Sequence, residues 1–220
     1  MNGREYKDTV FQLFAMIAQG FGSPKRLEII DVLLQGERDV ETLSKEANMS
    51  IANTSKHLQV LKNARLVESR KDGTRVLYRV ADESIFTCYK NLQALAEKRL
   101  YEIKEIVRMY YHDRDRLEPI SKETLHNRIK MGDVLVLDVR PFEEYRSGHI
   151  PEALSIPLSE LKKRIDDIPK NTEVVAYCRG PYCVLAVNAV MSLRNAGVRA
   201  IRMKDGFPEW KESGLPVEVG

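Results

Sequence analysis

Six residues in the last quarter of the chain have the types and the setting of a reactive-thiol loop. The loop Cys178-Arg179-Gly180-Pro181-Tyr182-Cys183 follows an apolar run, 174–177, that predicts a strand, and it precedes a predicted apolar helix, 184–195. A thiol placed there faces backbone N–H groups and the positive end of a helix dipole, and Arg179 adds positive charge. The sequence therefore predicts a nucleophilic Cys178 whose pKa lies well below the value of about 8.5 for a free thiol.

Two chemistries use such a loop, phosphoryl transfer and sulfur transfer. A cysteine phosphatase of the Cys-x5-Arg type needs an arginine at position 184 to grip phosphate, and this chain has Val184. Sulfur transfer requires only a thiolate that attacks a sulfane sulfur and holds it as a persulfide until an acceptor thiol removes it. We therefore expect sulfurtransferase activity through Cys178, without a cofactor, with thiosulfate, a polysulfide or another persulfide as donor.

The elements around this loop alternate between strand and helix. Apolar runs at 134–138, 174–177 and 198–203 predict strands, and helical periodicity is found at 159–168 and 184–195. This alternation is typical of an α/β domain with a largely parallel sheet, which would place the loop at the carboxyl end of a strand.

Three runs in this half resemble the rhodanese family: Asp138-Val139-Arg140, Glu144-Tyr145-Arg146-Ser147-Gly148-His149-Ile150-Pro151 and Asp205-Gly206-Phe207-Pro208-Glu209-Trp210. The resemblance covers about residues 120–218. It implies that Cys178 is the persulfide-forming nucleophile and that residues 179–183 complete its active loop. It also implies mainly structural roles for Asp138, Arg140 and His149.

The chain departs from the rhodanese pattern at a few positions. Glu152 stands where the family usually has glycine, and Lys204-Asp205-Gly206 stands where Gly-Gly is common, so we expect altered loops there. Cys183 is also less usual. It either resolves a Cys178 persulfide into a disulfide or packs at the helix start, and packing is favoured because closing a ring over five residues would strain the loop.

A second constellation lies in the first half. Two predicted helices, 40–47 and 50–63, are separated by a tight turn, and a hairpin follows around Asp72-Gly73. All of the chain's excess of three positive charges lies in residues 1–112, and the segment 50–80 holds seven basic side chains against two acidic ones. These features predict a winged helix-turn-helix that binds nucleic acid, with the second helix in a major groove and the hairpin on the backbone.

The second helix of this motif has two different faces. Helical spacing places Ile51, Thr54, Leu58 and Leu61 on a core face. Asparagine and glutamine on the opposite face can form paired hydrogen bonds with adenine, while lysine and serine can bind guanine or phosphate. The alternative for any single residue is that it belongs to a polar helix face that only contacts solvent. The candidate DNA contacts on this helix and in the hairpin are Asn53, Ser55, Lys56, Gln59, Lys71 and Arg75.

The first half resembles the ArsR family of winged-helix repressors over roughly residues 8–90. The resemblance is carried by 23–30 (SPKRLEII), 55–61 (SKHLQVL) and 66–73 (LVESRKDG). It implies a homodimeric repressor on double-stranded operator DNA whose terminal helices, 10–21 and 83–111, form the dimer interface. An apolar stripe along 83–111, which lacks a partner within the domain, independently fits that role.

Metal sensing, which is common in this family, does not carry over. The Cys-x-Cys that precedes the motif in arsenic-type sites is replaced by Glu37-Arg38-Asp39-Val40-Glu41, and the last helix has no histidine before His112, so no metal site is expected. Cys88 lies in the expected dimer region. It is either a small apolar packing residue or a regulatory thiol, and without a partner cysteine it could respond only by forming a persulfide or an intermolecular bond.

The whole chain is predicted to hold two domains. We expect a mainly α winged helix-turn-helix domain at 1–112, a charged linker at 113–119 and an α/β rhodanese-like domain at 120–220. With 43% hydrophobic and 30% charged residues, the composition excludes fibrous, disordered and membrane classes, and no signal core or membrane span is found. Three cysteines are too few for a disulfide framework, which favours a cytoplasmic protein.

The combination predicts a DNA-binding transcriptional regulator in which a Cys178 persulfide, or its transfer to Cys88, changes operator affinity. An alternative is that the protein is primarily a sulfurtransferase and uses the winged helix for dimerisation or targeting. A third interpretation makes the second domain a silent interaction module, marked by a Cys178 that titrates like a free thiol.

Overall fold

The structure is a computed structural model that describes residues 1–112 and 119–220. Apart from Pro119, the predicted linker lies outside the described residues, so the domain limits 1–112, 113–119 and 120–220 remain predictions. The chain forms two compact units, Met1–Lys98 and Arg99–Gly220, which are described separately.

The first unit consists of helices and one small antiparallel sheet. Its strands run in the order β1-β3-β2, and β2 and β3 form the predicted hairpin, with Gly73 at a φ of 59° in the turn. The elements are α1 (Gly3–Phe21), α2 (Pro24–Leu33), β1 (Arg38–Asp39), α3 (Val40–Glu46), α4 (Ile51–Asn63), β2 (Val67–Asp72), β3 (Arg75–Val80) and α5 (Ser84–Arg99).

The core of this unit supports the predicted helix-turn-helix. Thr54, Leu58 and Leu61 of α4 are buried, and Ser50 caps the helix by accepting a hydrogen bond from the Asn53 N–H at 3.3 Å. The expectation that Ile51 is also a core residue is wrong, because its side chain is 50% exposed. Ile51 lies in the first turn of α4, at the exposed end of the helix, one turn before the first buried position.

The single long helix predicted from 83 to 111 is instead two helices. α5 ends at Arg99, and α6 (Tyr101–His112) begins after Leu100. The Ile103 N–H donates to the Leu100 carbonyl at 3.1 Å, so Leu100 starts a new helix rather than continuing α5. The apolar stripe continues on both sides of Leu100 without a glycine or a proline, which is why periodicity alone does not reveal the break.

The second unit is an α/β domain with a parallel four-stranded sheet in the order β5-β4-β6-β7, which confirms the predicted fold class. Helices cover both faces of the sheet, and apolar clusters lie on each side. After α6 the elements are α7 (Lys122–Met131), β4 (Val134–Asp138), α8 (Phe142–Ser147), β5 (Leu154–Ser155), α9 (Leu158–Arg164), β6 (Glu173–Tyr177), α10 (Leu185–Asn195), β7 (Ala200–Arg202) and α11 (Phe207–Glu212).

None of the helices within the described ranges combines the length and the apolar composition needed to cross a membrane.

Candidate active site and nucleic-acid interface

Cys178 lies immediately after the central strand β6, at the carboxyl edge of the sheet. Its side chain is only 3% exposed, and its Sγ donates a hydrogen bond to the Cys183 carbonyl at 3.6 Å. The Cys178 carbonyl in turn accepts from the Phe207 N–H at 3.0 Å. The strand end and these bonds fix both the backbone and the thiol of Cys178.

The ionisation of Cys178 differs from the expectation. Burial raises the pKa of the thiol well above its ordinary value, and the backbone N–H groups of Ala186 and Gly180, which act in the opposite direction, do not offset it. The expectation of a lowered pKa is therefore wrong for the resting site. The predicted cradle of N–H donors is present, but removal of the thiolate from water outweighs it.

Cys183 lies beside Cys178 in the same loop. It is half-buried and packs against the apolar cluster that contains Cys178. Interaction with the Cys178 side chain lowers the pKa of Cys183, and the backbone N–H groups of Leu185 and Arg179 act in the same direction. Of these two neighbouring thiols, the thiolate is therefore favoured on Cys183 rather than on the buried Cys178.

The Arg179 guanidinium binds a carboxylate instead of leaving its charge open beside Cys178. Its Nη2 lies 2.6 Å from Oε1 of Glu144, and its Nε lies 3.1 Å from both carboxylate oxygens. Glu144 is fully buried on α8, so this ion pair ties the active loop to that helix. The expected positive charge next to Cys178 is largely neutralised.

The segment that begins at Gly206 packs directly against the backbone of the active loop. A Cβ atom at Gly206 would overlap with backbone atoms of Arg179 and Gly180, so no residue larger than glycine fits without displacing the loop. The buried Glu209 carboxylate accepts a hydrogen bond from the Gly206 N–H at 2.9 Å. The sequence does not indicate that Gly206 is a site residue, although Gly206 lies in the run 205–210 that carries the resemblance.

Tyr111 of α6 also contacts the active loop, which the sequence did not indicate. Its hydroxyl donates to the Pro181 carbonyl at 2.9 Å and lies 3.4 Å from the Cys183 carbonyl, and its ring packs against the Arg202 guanidinium at 4.3 Å. Burial raises the pKa of Tyr111 to about 12, so the hydroxyl remains a donor at neutral pH. The family resemblance predicts that the helix carrying Tyr111 lies in the dimer interface, which stays a prediction, and the structure adds a contact of Tyr111 with the loop.

A largely buried polar network joins β4, β6 and the residues that follow α8. The Arg140 Nη2 is 2.6 Å from Oδ2 of Asp138, and the Tyr177 hydroxyl donates to the same oxygen at 2.6 Å. Arg140 also donates to the Gly148 carbonyl at 2.8 Å, and His149 Nδ1 lies 2.9 Å from the Tyr145 carbonyl. These contacts hold the connection between β4 and α8 in place.

The candidate DNA contacts all lie in the first unit, on α4 and in the hairpin of β2 and β3. Lys71 and Arg75 flank the hairpin turn, and Arg75 is 3.6 Å from Asp39. Arg70 and Arg79 in the same hairpin pair with Glu37 and Glu68. All six candidates are exposed: Asn53, Ser55, Lys56, Gln59, Lys71 and Arg75.

A separate face of the first unit is apolar and exposed. Cys88 on α5 lines a groove of about 600 Å³ together with Phe14 and Ile17 of α1. Leu92 and Leu95 on α5 are further exposed apolar side chains. Such a continuous apolar face is typical of a surface that another chain covers.

Among the residues that the structure describes, no group of three or more histidine, cysteine or acidic side chains could hold a metal ion.

Comparison with known proteins identifies both halves. The family model for "Bacterial regulatory protein, arsR family" matches residues 23–69, and that for "Rhodanese-like domain" matches residues 121–213. The chain is 37% identical to "HTH-type transcriptional regulator Rv0324" of Mycobacterium tuberculosis over 97% of its own length and 94% of that protein. The chain belongs to the ArsR family of transcriptional regulators and carries a rhodanese-like domain.

Two further relatives each match one half of this ArsR-family regulator. A "Sulfurtransferase" of Allochromatium vinosum is 33% identical over 44% of the chain and 92% of that protein. The solved homodimeric winged helix-turn-helix DNA-binding domain of Mb0332 from Mycobacterium bovis is 34% identical, with a TM-score of 0.42, over 46% of the regulator and 91% of that chain.

The predicted site residues of the regulator thus fall into three groups. Residues 178–183 form one loop in which Cys178 is buried and Tyr182 is exposed, and the six DNA candidates are exposed residues of the other unit. Cys88 lies in neither group, because it lines the apolar groove. Glu144, Gly206 and Tyr111 were missed as loop contacts, since each is distant from the loop in sequence.

Proposed function

We propose that this ArsR-family regulator is a homodimeric, cytoplasmic repressor whose rhodanese-like domain forms a persulfide on Cys178 and so couples reactive sulfur to transcription. One observation carries the proposal. The same chain holds a basic winged helix and a buried thiol, and the backbone N–H groups of Gly180 and Ala186 favour the anionic form of that thiol. Those donors are suited to an anionic sulfur species bound to Cys178.

The sulfur step is a displacement at a sulfane sulfur. The Cys178 thiolate attacks the sulfane sulfur of thiosulfate, the donor's S–S bond breaks, and sulfite leaves with the electron pair. Polysulfides and persulfides react in the same way and release a shorter polysulfide or a thiol. An acceptor thiol later removes the sulfur from Cys178. A reducing cytoplasm suits this cycle, because it keeps Cys178 and Cys183 as thiols.

The DNA step uses the exposed face of α4 in the major groove of double-stranded operator DNA. Asn53, Ser55, Lys56 and Gln59 would read base edges there, and Lys71 and Arg75 would neutralise phosphates beside it. The apolar face of α1 and α5 supports a homodimer, since joining two such faces would remove Phe14, Ile17 and Leu92 from water.

Sulfite release tests the sulfur step directly. The purified wild-type chain, mixed with thiosulfate and no acceptor, should release one sulfite per chain, because each Cys178 can be loaded once. Cys178→Ser should release none, whereas Cys88→Ser should match the wild type. Absence of sulfite from the wild type would refute the proposal.

A second candidate function is that of a sulfurtransferase that uses its winged helix for dimerisation or targeting. The similarity of the second half to a sulfurtransferase from Allochromatium vinosum favours it. Thiosulfate-to-cyanide turnover that is lost in Cys178→Ser, together with no sequence-specific binding to the DNA upstream of its own gene, would support this function over regulation.

A further inference from the structure

The backbone of the active loop places Cys183 next to Cys178, and an apolar packing role for Cys183 does not explain this placement. The Cys183 N–H donates to the Gly180 carbonyl at 3.1 Å, and this turn brings Cys183 back beside Cys178. The Cys178 Sγ then donates to the Cys183 carbonyl at 3.6 Å. The strain expected from closing a ring over five residues is therefore reduced, because the native loop already holds these residues together.

The surroundings of Cys183 also suit an attacking thiol. It is half-buried in the apolar cluster that contains Cys178, so water competes little at the sulfur. Interaction with the Cys178 side chain lowers the pKa of Cys183, which raises its thiolate fraction at neutral pH. Apolar packing would be served equally well by alanine or valine, neither of which has a nucleophilic sulfur.

We infer that Cys183 is a resolving thiol that attacks the Cys178 persulfide and converts it into a Cys178–Cys183 disulfide with release of hydrogen sulfide. The inference rests on the proposed function, since it needs the persulfide. The Cys183 thiolate attacks the Sγ of Cys178, the bond from that Sγ to the sulfane sulfur breaks, and sulfide leaves with the electron pair. The proton of Cys183 goes to the departing sulfide. The two cysteines are oxidised by two electrons and the sulfane sulfur is reduced by two.

This step makes the loaded state of the regulator transient. Once sulfide has left, two molecules of a low-molecular-weight thiol reduce the disulfide and restore both cysteines. The domain would thus reduce sulfane sulfur to sulfide as well as carry it, and the persulfide would persist only until Cys183 reacts.

Mass spectrometry of the full chain after thiosulfate treatment tests the inference. The wild type, freed of thiosulfate by gel filtration and kept without reductant, should lose two hydrogen atoms and show a peptide with a Cys178–Cys183 disulfide. It should also release one sulfide per disulfide. Cys183→Ser should instead gain and keep one sulfur atom on Cys178 and release no sulfide. Cys183→Ala, which preserves apolar packing, should behave as Cys183→Ser does.

The possible failures are distinct. A wild type that releases sulfite and keeps the added sulfur as long as Cys183→Ser does would overturn the resolving role and leave the proposed function intact. A wild type that releases no sulfite would overturn both. If Cys183→Ala still formed a disulfide, the resolving thiol would be another cysteine and the inference would be wrong. Cys88→Ser tests whether that other cysteine is Cys88.

Discussion

Burial determines the reactivity of Cys178 more than the helix that follows it. Two backbone N–H groups, those of Gly180 and Ala186, favour the thiolate, yet desolvation keeps the pKa of the side chain raised. The thiol is therefore largely protonated at neutral pH. The pKa of Cys178 therefore cannot distinguish a catalytically silent domain from an active one. Burial raises this pKa above that of a free thiol whether or not the domain transfers sulfur.

Alkylation of Cys178 should depend steeply on pH. Because only the thiolate reacts and its pKa is raised, the rate with iodoacetamide should increase about tenfold per pH unit and still be rising beyond about pH 8.5. The rate is measured by peptide mass spectrometry on the fragment that contains Cys178. A plateau below about pH 8 would contradict the direction of the shift.

Glu152 is strained in a way that explains why rhodaneses usually have glycine there. Its φ is 62°, in the left-handed region, where a non-glycine residue costs about 1 kcal/mol or more. Glu152→Gly should remove this strain but should also increase the conformational entropy of the unfolded chain. The net result should be an increase of about 0.5 kcal/mol in the free energy of unfolding.

Denaturant unfolding of the full chain checks this expectation. Glu152→Ala is the matched control, because alanine removes the carboxylate but keeps the strain. If alanine stabilised the chain as much as glycine, the charge of Glu152 rather than its backbone conformation would be responsible.

At the scale of elements, the hairpin of β2 and β3 is expected to supply charge rather than sequence recognition. Lys71→Ala and Arg75→Ala should weaken binding to all DNA sequences and reduce the log-log salt dependence by about one unit each, because each removes one phosphate contact. Fluorescence anisotropy over a range of salt concentrations measures both quantities.

The α4 variants provide the contrast. Lys56→Ala and Gln59→Ala should change the preference among sequences, since we propose that these residues contact base edges. Equal effects of all four substitutions on every sequence would show that α4 is not the recognition helix. Lys130→Ala is the control, because it also removes an exposed positive charge but lies in the second unit. It should leave DNA binding unchanged.

The helix α6 is expected to hold the active loop through a single hydroxyl. Tyr111→Phe removes the bond to the Pro181 carbonyl but leaves the ring on Arg202, so we expect a loss of about 1 kcal/mol and a looser loop. Hydrogen exchange should become faster in peptides that cover 178–185. Tyr101→Phe, which removes a hydroxyl bonded to Glu105 on the same helix, should leave that loop unchanged.

The sequence predicts a structural feature well when that feature depends on a few neighbouring residues. The Asp72-Gly73 turn, the Ser50 cap and the strand before Cys178 each depend on a few adjacent residues, and the structure has all three. The break at Leu100 has no breaker residue, and the ion pair between Arg179 and Glu144 joins residues far apart in sequence. Burial of Cys178 depends on how α10 and α11 pack around β6, which residue types near the loop do not specify.

At the scale of the whole molecule, the chain joins two kinds of chemistry. The first unit presents exposed basic side chains and an apolar face, as a DNA-binding dimer requires, and the second unit holds the buried Cys178 beside the half-buried Cys183. The central claim is that the sulfur state of Cys178 changes the affinity for operator DNA. Such a coupling corresponds to a change in Kd of about fivefold or more.

The most direct test measures the Kd of the full chain for the DNA upstream of its own gene, with and without polysulfide. The wild type should show a change of about fivefold or more, and Cys178→Ser should change by less than about twofold, because it cannot be loaded. Cys88→Ser, measured alongside, reports whether the sulfur must pass to that thiol. An unchanged Kd in the wild type, or the same shift in Cys178→Ser, would contradict the account.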